Sequence, residues 1–231
     1  MRWTNTATGK SIEIFNEDCM PALEKMKENE FELAIVDPPY GIGIFTNDAH
    51  TDKNGKRIKN IKKYTDDYDW NIVGPEYLYF ENLKKISKDR IIWGANYFNC
   101  FETNGVNNHG ALVWYKGPMT KTISHCEIAS LSFQTRVSYI HIDWQSGFYR
   151  EIKEGIQIHP CQKPIKLYKW LLKNYAKEND RILDTHLGSG SIAIACWDMG
   201  FDLVGYELDK DYFEATCKRL NDHFNQQTLG F

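Results

Sequence analysis

The 231-residue chain is long enough for one sizeable domain, and its hydrophobic fraction of 42% is sufficient for a buried core. The formal net charge of -3 excludes a generally basic nucleic-acid coat, so any contact with DNA must come from local patches. The six cysteines have no CxxC spacing, which argues against structural zinc and against a disulfide framework and favours a reducing cytoplasm. No apolar run approaches membrane-spanning length and no leader segment is recognisable, so we expect a cytoplasmic protein with no membrane partner.

The N-terminal segment predicts a strand followed by a helix. Residues Ser11 to Phe15 alternate polar and apolar side chains, as a half-buried strand does. Pro21 is suited to the first turn of a helix, which we expect to run to about Glu28. Asp18 has two interpretations: it caps this helix, or its carboxylate accepts a hydrogen bond from the amino group of a ligand.

The stretch Phe31 to Tyr40 begins as an apolar run and ends at a carboxylate, two prolines and an aromatic residue. The apolar run predicts a buried strand of a parallel sheet, with Asp37 at its carboxyl end because residues before proline are extended. Pro38 and Pro39 have no N–H, which leaves the carbonyls of this turn free to accept other hydrogen bonds. A carboxylate, a free carbonyl and an aromatic ring on one rigid turn suit a planar ligand with an amino group.

Residues 41–70 form a long polar stretch that predicts a flexible basic loop. Two interpretations stay open: a solvated loop, or a lid that contacts the phosphates of a nucleic acid. The second interpretation makes six basic residues candidate contacts: Lys53, Lys56, Arg57, Lys59, Lys62 and Lys63.

The middle of the chain predicts a helix over 75–85 and strand-like segments at 90–94, 111–116, 127–133 and 137–144. We treat residues 95–145 as a candidate target-recognition region within a single domain that spans 1–231. The segment His159 to Pro164 follows, and its final proline suits the first turn of a helix that runs to about Tyr175.

The last third alternates strands and helices. Arg181–Asp184 and Asp202–Glu207 read as buried strands, separated by a glycine-rich turn and a helix over 192–199, and a closing helix falls within 208–224. This alternation predicts an α/β fold with a doubly wound, mostly parallel sheet.

The turn at Gly188, Ser189 and Gly190 lets the backbone approach a ligand closely. It matches neither GxGxxG nor a P-loop, so a nucleotide phosphate is not the expected guest. Glu207, at the end of the next strand, is placed where an acid binds ribose hydroxyls. The pattern fits S-adenosylmethionine, although such a turn can also be only a tight corner.

Three segments together resemble the amino DNA methyltransferases. Asp37-Pro38-Pro39-Tyr40 resembles motif IV, the DPPY signature, and His159 to Pro164 resembles motif X, H-P-x-Q-K-P. Residues Asp184 to Ser191 resemble motif I, D-P-F-x-G-S-G-T, with departures at Thr185, His186 and Ser191. The motif order IV–X–I is that of the β group, and DPPY is usual for its N6-adenine members.

The resemblance implies a Rossmann-like class I methyltransferase fold, with a sheet of about seven strands and a small inserted target-recognition region. It implies that Asp37 and the Pro38 carbonyl hold the exocyclic amine of a flipped adenine in double-stranded DNA, with Tyr40 stacked on the base. It implies no metal, and a homodimer is possible. The cofactor-binding residues that it implies are Asp18, Gln162, Lys163, Pro164, Asp184, His186, Gly188, Ser189, Gly190, Ser191 and Glu207.

Three alternatives stay open at this point. The same fold could act on N4 of cytosine, where Ser more commonly opens motif IV. It could methylate RNA or a protein amide, where Asn commonly opens the motif. The altered motif I also allows a catalytically silent DNA-binding homologue.

Overall fold

The computed structural model describes residues 1–41, 74–98, 110–118, 124–144 and 157–228. In these parts of the chain, nine strands form one sheet in the order β1-β2-β9-β8-β3-β4-β6-β5-β7. The strands are β1 (Arg2–Thr4), β2 (Ser11–Phe15), β3 (Phe31–Val36), β4 (Ser87–Trp93), β5 (Gly110–Tyr115), β6 (Cys126–Leu131), β7 (Val137–His141), β8 (Arg181–Asp184) and β9 (Asp202–Tyr206). The helices are α1 (Cys19–Lys25), α2 (Tyr77–Ile86), α3 (Ile165–Tyr175), α4 (Ser191–Met199) and α5 (Lys210–Thr228).

The five central strands, β2, β9, β8, β3 and β4, are all parallel, and β1 and β6 pair antiparallel to their neighbours. Parallel neighbours bring their carboxyl ends to the same edge of a sheet, where ligands of open α/β sheets bind. The predicted fold class is confirmed, while the described sheet has two strands more than the expected seven.

Helices cover both faces of the sheet. Side chains alternate along each strand, so a strand that is apolar throughout presents an apolar surface on both faces, and each surface packs against helices. Leu33 and Ile35 of β3 face a core formed with α3, α4 and α5, whereas Ala34 and Val36 face a core formed with α1 and α2. Burial on both faces explains why β3 and β8 read as continuous apolar runs rather than as alternating ones.

Most predicted elements form close to their expected bounds, and the exceptions have local reasons. Strand β1 was not predicted, since its three residues are too few to show a period. Helix α1 begins at Cys19 rather than at Pro21, because Asp18 accepts a hydrogen bond from Met20 N at 2.9 Å and so caps the helix two residues earlier.

The described parts of 95–145 contribute β5, β6 and β7 to the sheet, and they bury Leu112, Trp114 and Leu131 in the core. These strands are therefore part of the scaffold, and a target-recognition role for this region stays a prediction. None of the described helices combines the length and apolarity that crossing a bilayer requires.

Candidate active site

The acidic residues selected from the sequence lie at one edge of the sheet, where three parallel strands end. Asp37 directly follows β3, Asp184 closes β8, and Glu207 directly follows β9. Strand β8 pairs with β3 on one side and with β9 on the other, so all three residues lie at neighbouring strand ends. Segments that are far apart in the chain thus meet at a single edge.

Both carboxylate oxygens of Asp37 are occupied. The Tyr40 hydroxyl donates to Asp37 Oδ1 at 2.7 Å, and the ammonium of Lys163 is ion-paired with Oδ2. Burial raises the pKa of Asp37, and the ammonium of Lys163 opposes that rise. Lys163 was assigned to the cofactor from the sequence, and its contact with Asp37 was not predicted.

The Tyr40 ring is held by a turn at the carboxyl end of β4. It stacks on Tyr97 with ring centroids 4.8 Å apart and an angle of 20° between the planes, and it meets Phe98 edge-on at 6.0 Å. Gly94 begins this turn with φ of +76°, and a Cβ there would lie 2.4 Å from the Tyr40 ring. Only glycine fits at this position, because any side chain would displace the ring.

Lys163 also contacts a second carboxylate, Glu127 of β6, at 3.1 Å, and Lys116 donates to the other oxygen of Glu127 at 2.9 Å. Burial alone would raise the pKa of Glu127, but the ammoniums of Lys163 and Lys116 outweigh it and hold the pKa below its usual range. Burial alone would lower the pKa of Lys163, but Asp37 and Glu127 outweigh it and hold that pKa above its usual range. Both groups are therefore charged at neutral pH.

The glycine-rich turn between β8 and α4 is fixed by Glu207. Gly188 N donates to Glu207 Oε2 at 2.8 Å, and Asp209 N donates to Oε1 at 2.9 Å. Gly188 and Gly190 have φ of +53° and +70°, in the left-handed region that glycine adopts without strain. The turn leads into α4 at Ser191, whose hydroxyl accepts from Arg219 at 3.0 Å.

Burial shifts the pKa values of the ionisable groups around this turn towards their neutral forms. It raises the pKa of Asp184 to about 8 and that of Glu207 to about 7, and it lowers the pKa values of His159 and His186 to about 4. His186 packs edge-on against Tyr79 and shares a hydrogen bond with Thr185, so it has a packing role in this structure.

The segment His159 to Pro164 connects the two halves of this edge. A Cβ at Gly188 would lie 3.5 Å from the His159 ring, and four residues later Lys163 contacts Asp37. Gln162 is buried, and its Nε2 has no hydrogen-bond partner among the described residues. This amide is a free donor at the boundary between the Asp37 side and the Gly188 side.

Asp18 lies near the cofactor turn as well as capping α1, and its charge is among those that act on His186. It borders an open cavity of about 310 Å³. The cavity is lined by Glu17, Asp18, Pro21, Ala22 and Lys25. Asp18 therefore caps α1, as the first interpretation predicts. All the residues that line this cavity lie within 17–25 and none belongs to the Gly188 turn, so the second interpretation stays a prediction.

The six basic residues of the 41–70 loop, from Lys53 to Lys63, lie outside the described residues, and their role stays a prediction. The site also contains two residues that the sequence did not single out, Tyr97 and Lys116. It contains two more, Gly94 and Glu127, whose segments resemble phage members of the amino DNA methyltransferases but were given no role. A charged residue inside a strand-like run was the available signal for Glu127, because buried charges are rare unless paired. Lys116 gave the same signal at the end of β5.

A sequence profile of the DNA methylase family matches residues 52–218, which is most of the chain. The chain belongs to the DNA methylase family. Membership confirms the resemblance stated from the sequence, and it makes the chain a DNA methyltransferase. Asp37 to Tyr40 precede the matched range, so their roles rest on the geometry described above.

This DNA methylase is 24% identical over 238 residues to the type II methyltransferase M.HpaI of Haemophilus parainfluenzae, covering 90% of this chain and 74% of that protein. It is also 24% identical to the type II methyltransferase M2.LlaDCHI of Lactococcus lactis subsp. cremoris, covering 90% of this chain and 88% of that protein.

Solved structures share its fold, among them the following two. The M1.HpyAVI–SAM complex has a TM-score of 0.60 at 19% identity, covering 91% of this chain and 99% of that one. The PvuII DNA methyltransferase (cytosine-N4-specific) has a TM-score of 0.58 at 14% identity, covering 93% of this chain and 92% of that one.

Proposed function

We propose that this DNA methylase transfers a methyl group from S-adenosylmethionine to the exocyclic N6 of an adenine flipped out of duplex DNA. The observation that carries the proposal is the shared sheet edge, where Asp37 and Tyr40 are joined through the His159–Pro164 segment to the turn fixed by Glu207. A base-binding group and a cofactor-binding group must adjoin for a direct transfer.

The residues of this edge fit S-adenosylmethionine. Glu207 would bind the ribose hydroxyls, and the glycines of the Gly188–Gly190 turn, which have positive φ and no side chain, would let the cofactor lie close to the backbone. The unpartnered Nε2 of Gln162 is a suitable donor for the methionine carboxylate. Asp18, whose charge acts on His186 of the cofactor turn, is a suitable acceptor for the adenine amino group. When bound, the cofactor supplies a methyl group on a positively charged sulfur. The M1.HpyAVI structure, which shares the fold, is a SAM complex, and this supports S-adenosylmethionine as the cofactor.

Asp37 and the carbonyl of Pro38 each accept one N–H of the target amine, and this holds its lone pair towards the methyl group. Tyr40 supplies a stacking surface for the base, while Pro39 keeps the turn rigid. The incoming amine takes the place of the Tyr40 hydroxyl on Asp37 Oδ1. The base must leave the duplex, because its amine cannot reach a buried carboxylate while stacked.

In the decisive experiment, the chain is expressed in a host that lacks DNA methylation. One sample of the host DNA is digested to nucleosides to identify the modified base, and another is sequenced to locate the modified positions. N6-methyladenine at a defined sequence is the expected product. N4-methylcytosine would instead support the second candidate, which the fold shared with the cytosine-N4-specific PvuII enzyme favours. Parallel assays on RNA and protein, with no methylation expected, test the alternative substrates.

A catalytically silent homologue is the weaker alternative. Thr185, His186 and Ser191, which depart from motif I, all have hydrogen-bond partners within the fold, so the departures leave the turn intact. Calorimetry that found no binding of S-adenosylmethionine would favour the silent homologue.

The proposed partner is double-stranded DNA. We propose that the basic loop at 41–70 and the region 95–145 contact it. Counterion release would make this contact weaken steeply with salt. Since its substrate is DNA, we propose the reducing cytoplasm as its location. A homodimer is part of the same proposal.

A further inference from the structure

A chain of four charges runs from the candidate catalytic carboxylate into the protein: Asp37, Lys163, Glu127 and Lys116. We propose that Glu127 is a positioning residue for methyl transfer, which keeps Asp37 available to the target amine by drawing the ammonium of Lys163 partly away from it. The inference rests on the proposed function and adds a residue that touches neither the base nor the cofactor.

The geometry makes Lys163 a shared cation. Its ammonium contacts Asp37 Oδ2 on one side and Glu127 Oε2 at 3.1 Å on the other, and its side chain is only 4% exposed. Lys116 occupies the remaining oxygen of Glu127 at 2.9 Å. The signs alternate along the chain and sum to zero, which is the arrangement that makes buried charges tolerable.

Sharing matters because the target amine competes with Lys163 for the same carboxylate. An ammonium paired with Asp37 alone would neutralise it more fully and make it a poorer acceptor for an N–H. The second carboxylate, Glu127, divides the attraction of that ammonium between two anions. Asp37 therefore stays oriented by Lys163, yet it can still accept a hydrogen bond from the base.

Other groups act on Asp37 and must be weighed in any pH experiment. Tyr40 donates from the same turn, and Asp184 at the end of β8, whose pKa is raised by burial and in part by Asp37, titrates in the pH range of such an experiment. The ionisable groups that face Asp37 or Lys163 are Tyr40, Lys116, Glu127, His159, Cys161, Lys163, Tyr168 and Asp184. Of the four residues in the charge chain, Glu127 and Lys116 are the two that do not contact Asp37 directly and are connected to it through Lys163. They are therefore the positions to substitute.

The test is Glu127→Gln, measured as the single-turnover methylation rate against pH. We expect the plateau rate to fall about tenfold, since Lys163 then pairs with Asp37 alone. We also expect the acid limb to move to lower pH, because loss of a neighbouring negative charge lowers the pKa of Asp37. S-adenosylmethionine affinity by calorimetry stays at the wild-type value.

Glu30→Gln is a matched control, because Glu30 is 27% exposed and ion-paired with Arg181 at 3.1 Å, while Glu127 is 23% exposed. Glu30 lies at the opposite end of β3 from Asp37, and its variant keeps the wild-type plateau and acid limb. Glu127→Asp keeps the charge, and it should keep the acid limb in place.

Lys116→Gln should shift the acid limb in the opposite direction from Glu127→Gln. It also serves as the test variant if Glu127→Gln does not fold. Removing Lys116 leaves Glu127 to attract Lys163 more strongly, so the pKa of Asp37 rises and the acid limb moves to higher pH. An acid limb that stays in place in both variants, or moves the same way in both, would overturn the inference. An inactive wild-type protein would instead overturn the proposed function itself.

Discussion

At the scale of single residues, Asp37 shows how the fold prepares a carboxylate for a neutral amine. Its side chain is only 14% exposed, and one hydroxyl and one ammonium, those of Tyr40 and Lys163, partly offset the cost of its desolvation. Both contacts lie on the side of the molecule where β3 and β8 end. A carboxylate held in this way has little freedom to reorient, which favours positioning over proton transfer as its main contribution.

Replacing Asp37 by Ala should abolish methylation while leaving S-adenosylmethionine binding largely in place. The acceptor for the target amine is lost, whereas Glu207 and Gly188 are untouched. A filter assay for transfer and calorimetry for the cofactor measure the two effects separately. The proposed mechanism does not survive if the variant still methylates DNA.

Glu207 should make cofactor affinity dependent on pH. Burial raises its pKa to about 7, so it loses its charge as the pH falls from 8 to 6, and a protonated carboxyl accepts ribose hydroxyls poorly. Affinity for S-adenosylmethionine should therefore fall with acidification, by up to about tenfold per pH unit below the pKa.

Calorimetry from pH 6 to pH 8 measures this dependence, with Glu207→Gln as the comparison. The variant should bind weakly and with a much flatter pH profile. A profile that is unchanged in Glu207→Gln would assign the titration to Asp184, whose pKa is raised to about 8 by burial.

At the scale of elements, the turn after β4 determines where the base-stacking ring lies. Tyr97 N donates to Gly94 O at 2.8 Å, which closes a tight turn, and Tyr97 then covers the Tyr40 ring. The end of one strand thus positions a side chain that belongs to the turn after its neighbour, β3. The Tyr40–Tyr97 stack depends on the absence of a Cβ at Gly94.

Gly94→Ala should therefore lose methylation, because its Cβ would lie 2.4 Å from the Tyr40 ring. Gly9→Ala is the matched control, since Gly9 has φ of +72° but nothing within 4 Å of an added Cβ. Both variants should lose about 1 kcal/mol of unfolding free energy from the left-handed backbone, measured in urea. Equal methylation rates in the two variants would show that the ring contact does not matter.

At the scale of the whole molecule, the cofactor half and the base half share one continuous sheet. Strand β3, which carries Asp37, pairs directly with β8, which leads into the cofactor turn. The two halves therefore have no separate cores, and a ligand of one half should stabilise the other.

We expect S-adenosylmethionine at 100 times its dissociation constant to raise the unfolding free energy by about 2.7 kcal/mol in a single transition. Asp37→Ala should keep this increase, and Glu207→Gln should lose most of it at the same concentration. Far-ultraviolet circular dichroism and tryptophan fluorescence, followed together during unfolding, test the single transition. Two separated transitions would contradict the shared core.

The sequence by itself determined the α/β class, the buried strands β3 and β8, the glycine-rich turn and the identity of the DPPY segment. These features are local: an apolar run, a proline pair and a glycine spacing each restrict the backbone over a few residues. Only the tertiary structure decided that Lys163 pairs with Asp37, that Glu127 and Lys116 extend this pair, and that Gly94 and Tyr97 fix Tyr40. Those contacts join strands that are distant in the chain, and sheet order and register, which local periodicity does not encode, bring them together.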